Sequence, residues 1–95
     1  MTYEQFVQVI MPSAFCPEDG KWIQEQLQLL PPSLRRKVAV KYAEVYQVAF
    51  DCEPVSYRQD NRARHEANKR LRLFVKSHGK ALQGYTVSPP LVAQR

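Results

Sequence analysis

The sequence predicts an all-α fold: a small four-helix domain over residues 1–80, its fourth helix basic, followed by an extended or flexible tail over 81–95. Three observations predict it. Apolar residues recur at spacings of three and four in four separate stretches. Proline, glycine or a capping residue bounds each stretch. No stretch alternates apolar and polar residues as a half-buried strand would. At 95 residues, 44 % apolar and 24 % charged, the composition is that of one ordinary globular domain.

The first helix opens at Thr2, which with Gln5 has the spacing of a capping box, and Met1 and Phe6 suit the accompanying staple. Tyr3, Phe6, Val7 and Ile10 share one face, and Pro12 and Ser13 stop the run. The second helix opens at Pro17, where proline is tolerated, with Glu18 and Asp19 at the positive end of the helix dipole. Ile23, Leu27 and Leu30 continue it until Pro31-Pro32 breaks the chain. The third starts near Ser33 and repeats Leu34, Val38, Tyr42, Val45, Ala49 and Cys52, a stripe expected to face the core with Cys52 as a buried thiol. Glu53-Pro54 ends it. Ser56 and Gln59 form a second capping-box pattern, and the fourth helix is expected to reach Ser77 or His78, with Gly79 as its C-cap. Gly84, Pro89 and Pro90 then interrupt a mostly uncharged tail.

The charge is concentrated. Residues 58–80 hold eight basic and two acidic side chains, whereas the whole chain carries a net +5. Everything outside that segment is therefore slightly acidic. At about 100° per residue, Ala63, Ala67, Leu71, Phe74 and His78 fall on one face of the fourth helix, which is expected to be core. Arg58, Arg62, His65, Lys69, Arg72, Lys76 and Lys80 fall on the opposite side, with Asn61 and Asn68 at its edge. No acid lies within that stripe. A solvated face ordinarily mixes both signs, because like charges at i,i+4 cost a few tenths of a kcal/mol. A partner that offsets the repulsion is expected. Nucleic-acid phosphates would do so by releasing counterions, and Arg and Asn also read base edges. An acidic protein surface would do so as well.

Other classes find little support. No apolar run is long enough to span a bilayer, and the face opposite the stripe is needed for the core, so no membrane partner is expected. Met1 is followed by Thr2, Tyr3 and Glu4 without a signal-like apolar region, and two cysteines are too few for a disulfide scaffold. A reducing cytoplasm fits. His65 and His78 are thirteen apart, on different faces, so no metal ligand set and no cofactor are expected. Tyr42 and Tyr46 have the i,i+4 spacing of the paired tyrosines of rolling-circle endonucleases, but the histidine pair that chemistry needs is missing, and both read as packing residues. Neither Cys16 nor Cys52 has a base at a meaningful spacing. The expectation is a protein that is not an enzyme. Trp22 reads as core or as an interface anchor, and His78 as a cation at a helix C-terminus. The faces of the first two helices leave a homodimer open.

The stretch from Leu30 to Ala39, Tyr42, Tyr46 and the stretch from Ala63 to Arg72 resemble helical segments of phage- and prophage-encoded replication proteins. The resemblance covers about 45 of the 95 residues and consists of helix-packing patterns, so no catalytic residue carries over. It implies an accessory role in DNA replication or recombination inside a bacterial host cell. The expected interface has Arg58, Arg62, Lys69, Arg72 and Lys76 on phosphates, with His65 and Asn68 reading bases or bridging to them and Lys80 completing the binding stripe. The alternative is a module that docks the same stripe on an acidic or nucleic-acid-binding surface of a host enzyme.

Overall fold

The computed structural model describes residues 10–87, with side chains over 10–79. Its helices are α1 (Gly20–Gln28), α2 (Pro32–Cys52) and α3 (Gln59–Val87). Single 3-10 turns, Pro17–Asp19 and Ser56–Arg58, lead into α1 and α3. The described residues are thus all-α but hold three helices, not four. The first expected helix falls in residues 1–9, outside the described residues, and Ile10 is not helical.

α2 and α3 form an antiparallel pair, and α1 lies against both. Ile23, Leu27 and Leu30 of α1 and its exit are almost fully buried. They meet Ala39, Tyr42, Tyr46 and Ala49 of α2 and Ala63, Ala67 and Leu71 of α3. The bulk of the core thus comes from α1 and two tyrosines. The alanines of α2 and α3 let their backbones approach closely.

The buried face of α2 overlaps the expected one only at Tyr42 and Ala49. Ala39, Tyr42, Ala43, Tyr46 and Ala49 are buried, whereas Leu34, Val38 and Val45 are only half-buried and Cys52 is exposed. At 100° per residue the helix is turned by roughly 80° from the expected stripe. The cause is tertiary: α1 covers the alanine side, and the tyrosine hydroxyls reach polar partners on α3. Phe74 is likewise 41 % exposed rather than core, because only α2 flanks it.

The helix ends are held by side chains far from the expected caps. Arg35 closes the C-terminus of α1: its Nε donates to the carbonyls of Leu27 (3.0 Å) and Leu30 (2.9 Å), and its Nη2 to that of Gln28 (3.1 Å). These are carbonyls that no intrahelical N–H can satisfy. The Ser56/Gln59 box is not made. Instead the Gln59 side-chain amide donates to the Phe50 carbonyl at 3.1 Å, closing α2. Gly79 does not end α3, which continues to Val87. A C-cap glycine acts by turning left-handed, and Gly79 does not, while Lys80, Ala81, Leu82 and Gln83 behind it are good helix formers. The helical part of the expected tail is therefore 81–87, and 88–95 lie outside the described residues. His78, mid-helix, stacks on Phe74 at 6.2 Å between ring centroids instead of marking a C-terminus.

Candidate nucleic-acid interface

Burial of Ala63, Ala67 and Leu71 turns the opposite side of α3 outward. Arg62, His65, Lys69, Arg72 and Lys76 are all exposed there, and Arg58 is exposed in the preceding turn. Lys80 continues the helix, its side chain outside the described residues. The cationic row thus exists as one outward surface, but its charges are not equally available.

At the N-terminal end acids from outside the stripe approach it. Arg62 Nη1 lies 3.5 Å from Oε1 of Glu53, a carboxylate only 8 % exposed, whose Oε2 accepts the Val55 N–H at 3.1 Å. Glu66 takes a hydrogen bond from Arg70 Nε at 2.9 Å and stands 3.9 Å from Lys69 Nζ. The Arg70 bond holds the Glu66 carboxyl below the usual carboxylate range. Part of the like-charge cost is thus already offset within the chain. The next segment differs: Asn61, Arg64, His65, Asn68, Lys69 and Arg72 surround a shallow depression of about 210 Å³ with no acid in its lining, although Asn61 and His65 also line the neighbouring hollow with Glu53 and Glu66. Arg72 has its guanidinium 5.5 Å from the centre of the Trp22 ring, a cation–π contact that fixes it across the top of α1. Trp22 is therefore both half-buried and beside the stripe.

Asn68 borders the same depression, but both ends of its amide are engaged. Its Oδ1 accepts from the Tyr42 hydroxyl, and its Nδ2 donates to Asp19 Oδ2 at 3.0 Å. Asp19 is also gripped by Arg64, whose Nε and Nη2 donate to its two oxygens at 3.0 and 2.6 Å; Arg64 Nη1 reaches Glu18 at 3.2 Å. The Arg64 hydrogen bonds hold the Asp19 carboxyl below its usual value against the effect of burial. Asn68 and Arg64 therefore tie α3 to the start of α1 and to the middle of α2. A base-reading Asn68 would have to abandon both partners. Tyr46 donates to Asp60 at 3.2 Å, and its hydroxyl is pushed up to about 12, first by burial and then by the Asp60 charge. Burial raises Tyr42 further. Both tyrosines are packed, stacked at 6.3 Å and occupied at their hydroxyls, which leaves neither placed as a nucleophile.

Sequence reasoning placed Asp19 at a helix start but missed its partners, and it missed Arg35 and Arg64 as structural residues. Their partners lie as far as 49 residues away or are backbone carbonyls, and neither leaves a local pattern. Among the described residues no three His, Cys, Asp or Glu side chains converge as a metal site requires. None of their helices is long and apolar enough to cross a membrane. No protein-family model matches the chain, and no curated protein or solved structure does either.

Proposed function

We propose that this chain is a nucleic-acid-binding accessory module that lays the outer face of α3 along a phosphate backbone. The setting is DNA replication or recombination, as the resemblance of its helical segments implies. The observation that carries the reading is the exposed run His65, Lys69, Arg72 and Lys76, in which Glu66, 3.9 Å from Lys69, is the one acid at ion-pair distance among the described residues. Arg58 and Arg62 extend the row, the field of Arg62 partly offset by the Glu53 carboxylate 3.5 Å away. Lys80 prolongs it on the same helix. Asn68 is left out as a reader because its oxygen and nitrogen are engaged. Positioning then comes from charge, and base discrimination is expected to be weak.

The test is a titration of the full chain against short duplex and single-stranded DNA at several salt concentrations. Binding is expected with a log–log salt slope of about −0.9 per duplex phosphate contact. Lys69→Glu/Lys76→Glu is expected to weaken it at least tenfold and to flatten the slope by about two. This pair is preferred to Arg62→Glu, which would set a second carboxylate against buried Glu53. Trp22, the one tryptophan, gives a second readout, since capture of Arg72 by phosphate must disturb its ring contact. No binding even at low salt would overturn the reading and turn the stripe into a docking face for an acidic protein.

A further inference from the structure

The side of the α2–α3 pair away from α1 carries a groove of about 400 Å³. Its floor is Leu34, Val38 and Val45 of α2 with Ala67, Leu71 and Phe74 of α3. Lys37, Lys41 and Arg70 stand on its rim, and no acid lines it. This is the aliphatic stripe that the periodicity of α2 assigns to the core and that the fold leaves half-covered. It is separate from the cationic row, which faces outward on α3 between this groove and α1.

We infer that this groove is the docking site for an amphipathic helix of a partner protein, with apolar residues on one face and Asp or Glu on both flanks. Helix-in-groove binding reads apolar anchors at i, i+3/i+4 and i+7. Leu34 to Val45 advances α2 by about 16 Å, which suits three turns of such a helix. The rim selects the sign of the flanks. Lys41 and Arg70 now lean on Glu44 (3.8 Å) and Glu66 (2.9 Å), exposed pairs that a partner's carboxylates can replace at little cost. Lys37 has no acid within ion-pair distance among the described residues. The same sign argues against other occupants. A second copy placed groove to groove would set three cations against three. Residues 80–95 contain Lys80 and Arg95 and no acid. Ile10, from which residues 1–9 lead, lines the opposite side of α2 with Arg36, Val40 and Gln47.

The experiment uses the full chain and a fluorescein-labelled helical peptide of about 14 residues (three to four turns), with Leu at i, i+4, i+7 and i+11 and Glu on both flanks. A second peptide has Lys in place of Glu. The Glu peptide is expected to bind at least tenfold more tightly than the Lys peptide and to shift the amide signals of Val38, Val45 and Phe74. Lys37→Glu/Lys41→Glu, both at exposed positions, is expected to invert that preference while DNA titration stays unchanged. A fold that survives charge reversal is checked by circular dichroism, and Phe74→Ser gives a second variant with loss of peptide binding. Equal binding of the two peptides, or binding of neither, would overturn the proposal. So would a dimer in sedimentation that Phe74→Glu dissolves, or nuclear Overhauser contacts from residues 1–9 or 88–95 to Val38 and Phe74 in the free chain.

Discussion

The Asp19 side chain accepts three hydrogen bonds, two from Arg64 and one from Asn68, at the point where α1 begins. Its carboxyl is held below the usual range by Arg64. A depressed folded value stabilises the native state above the unfolded value of about 3.9 and loses that contribution as pH falls through the folded one. Asp19→Asn is therefore expected to lower the thermal midpoint at neutral pH, and the gap from the parent is expected to close below about pH 4. A gap that stays constant to pH 2.5 would mean that the charge of Asp19 contributes nothing. The exposed Glu66–Arg70 pair is a different case, and its removal is expected to have no measurable effect on the midpoint.

At the scale of elements, α1 has nine residues, too few to persist alone. It is held by Ile23 and Leu27 in the core and by Arg35 at its end. Arg35→Ala removes the side-chain donors of the Leu27, Gln28 and Leu30 carbonyls, of which Leu27 keeps the Leu30 N–H, and is expected to cost about 2 kcal/mol, lowering the thermal midpoint by about 10 °C. Helix existence was largely legible, since Pro12, Pro17, Pro31-Pro32 and Pro54 punctuate the chain and the spacings between them are helical. Helix faces were less so. α2 carries two apolar stripes, one of Leu34, Val38 and Val45 and one of Ala39, Tyr42, Ala43 and Tyr46. Bulk aliphatics dominate any reading of periodicity, whereas burial went to the alanines and tyrosines that fit against α1 and α3. Gly79 misled for a related reason: a glycine permits a helix to end but does not require it.

For the whole molecule, the chain presents two chemically different sides of the same helix pair. The cations of α3 were visible in the sequence because they share one helix and one period. Their partial neutralisation by Glu53, and the loss of Asn68 to the interior, were not, because each depends on a residue brought in by folding. The two surfaces are expected to act independently, with Lys69→Glu/Lys76→Glu affecting only DNA and Lys37→Glu/Lys41→Glu only the helical peptide. Full chain mixed with both ligands is expected to form a ternary complex in sedimentation, and strict competition between them would mean that the two faces are one site.

On α3 the buried contact is made largely by Ala63 and Ala67, one turn apart, and two equal small knobs have little to say about which of them sits opposite which turn of α2. Sliding α3 by one turn, about 5.4 Å, would set Ala63 where Ala67 sits. It would, however, pull Asn68 from Tyr42 and Asp19 and strand a buried hydroxyl. The polar chain is thus the molecule's alignment mark, deciding among arrangements that packing leaves nearly degenerate, a role a single buried polar residue can play between helices. Replacing it with an apolar side chain of similar size, as in Asn68→Leu, is expected to preserve the helical circular dichroism while lowering the melting temperature through the stranded Tyr42 hydroxyl. The amide spectrum should instead multiply or broaden as several registers exchange. A single sharp set of peaks from that variant would assign the register to the alanines after all.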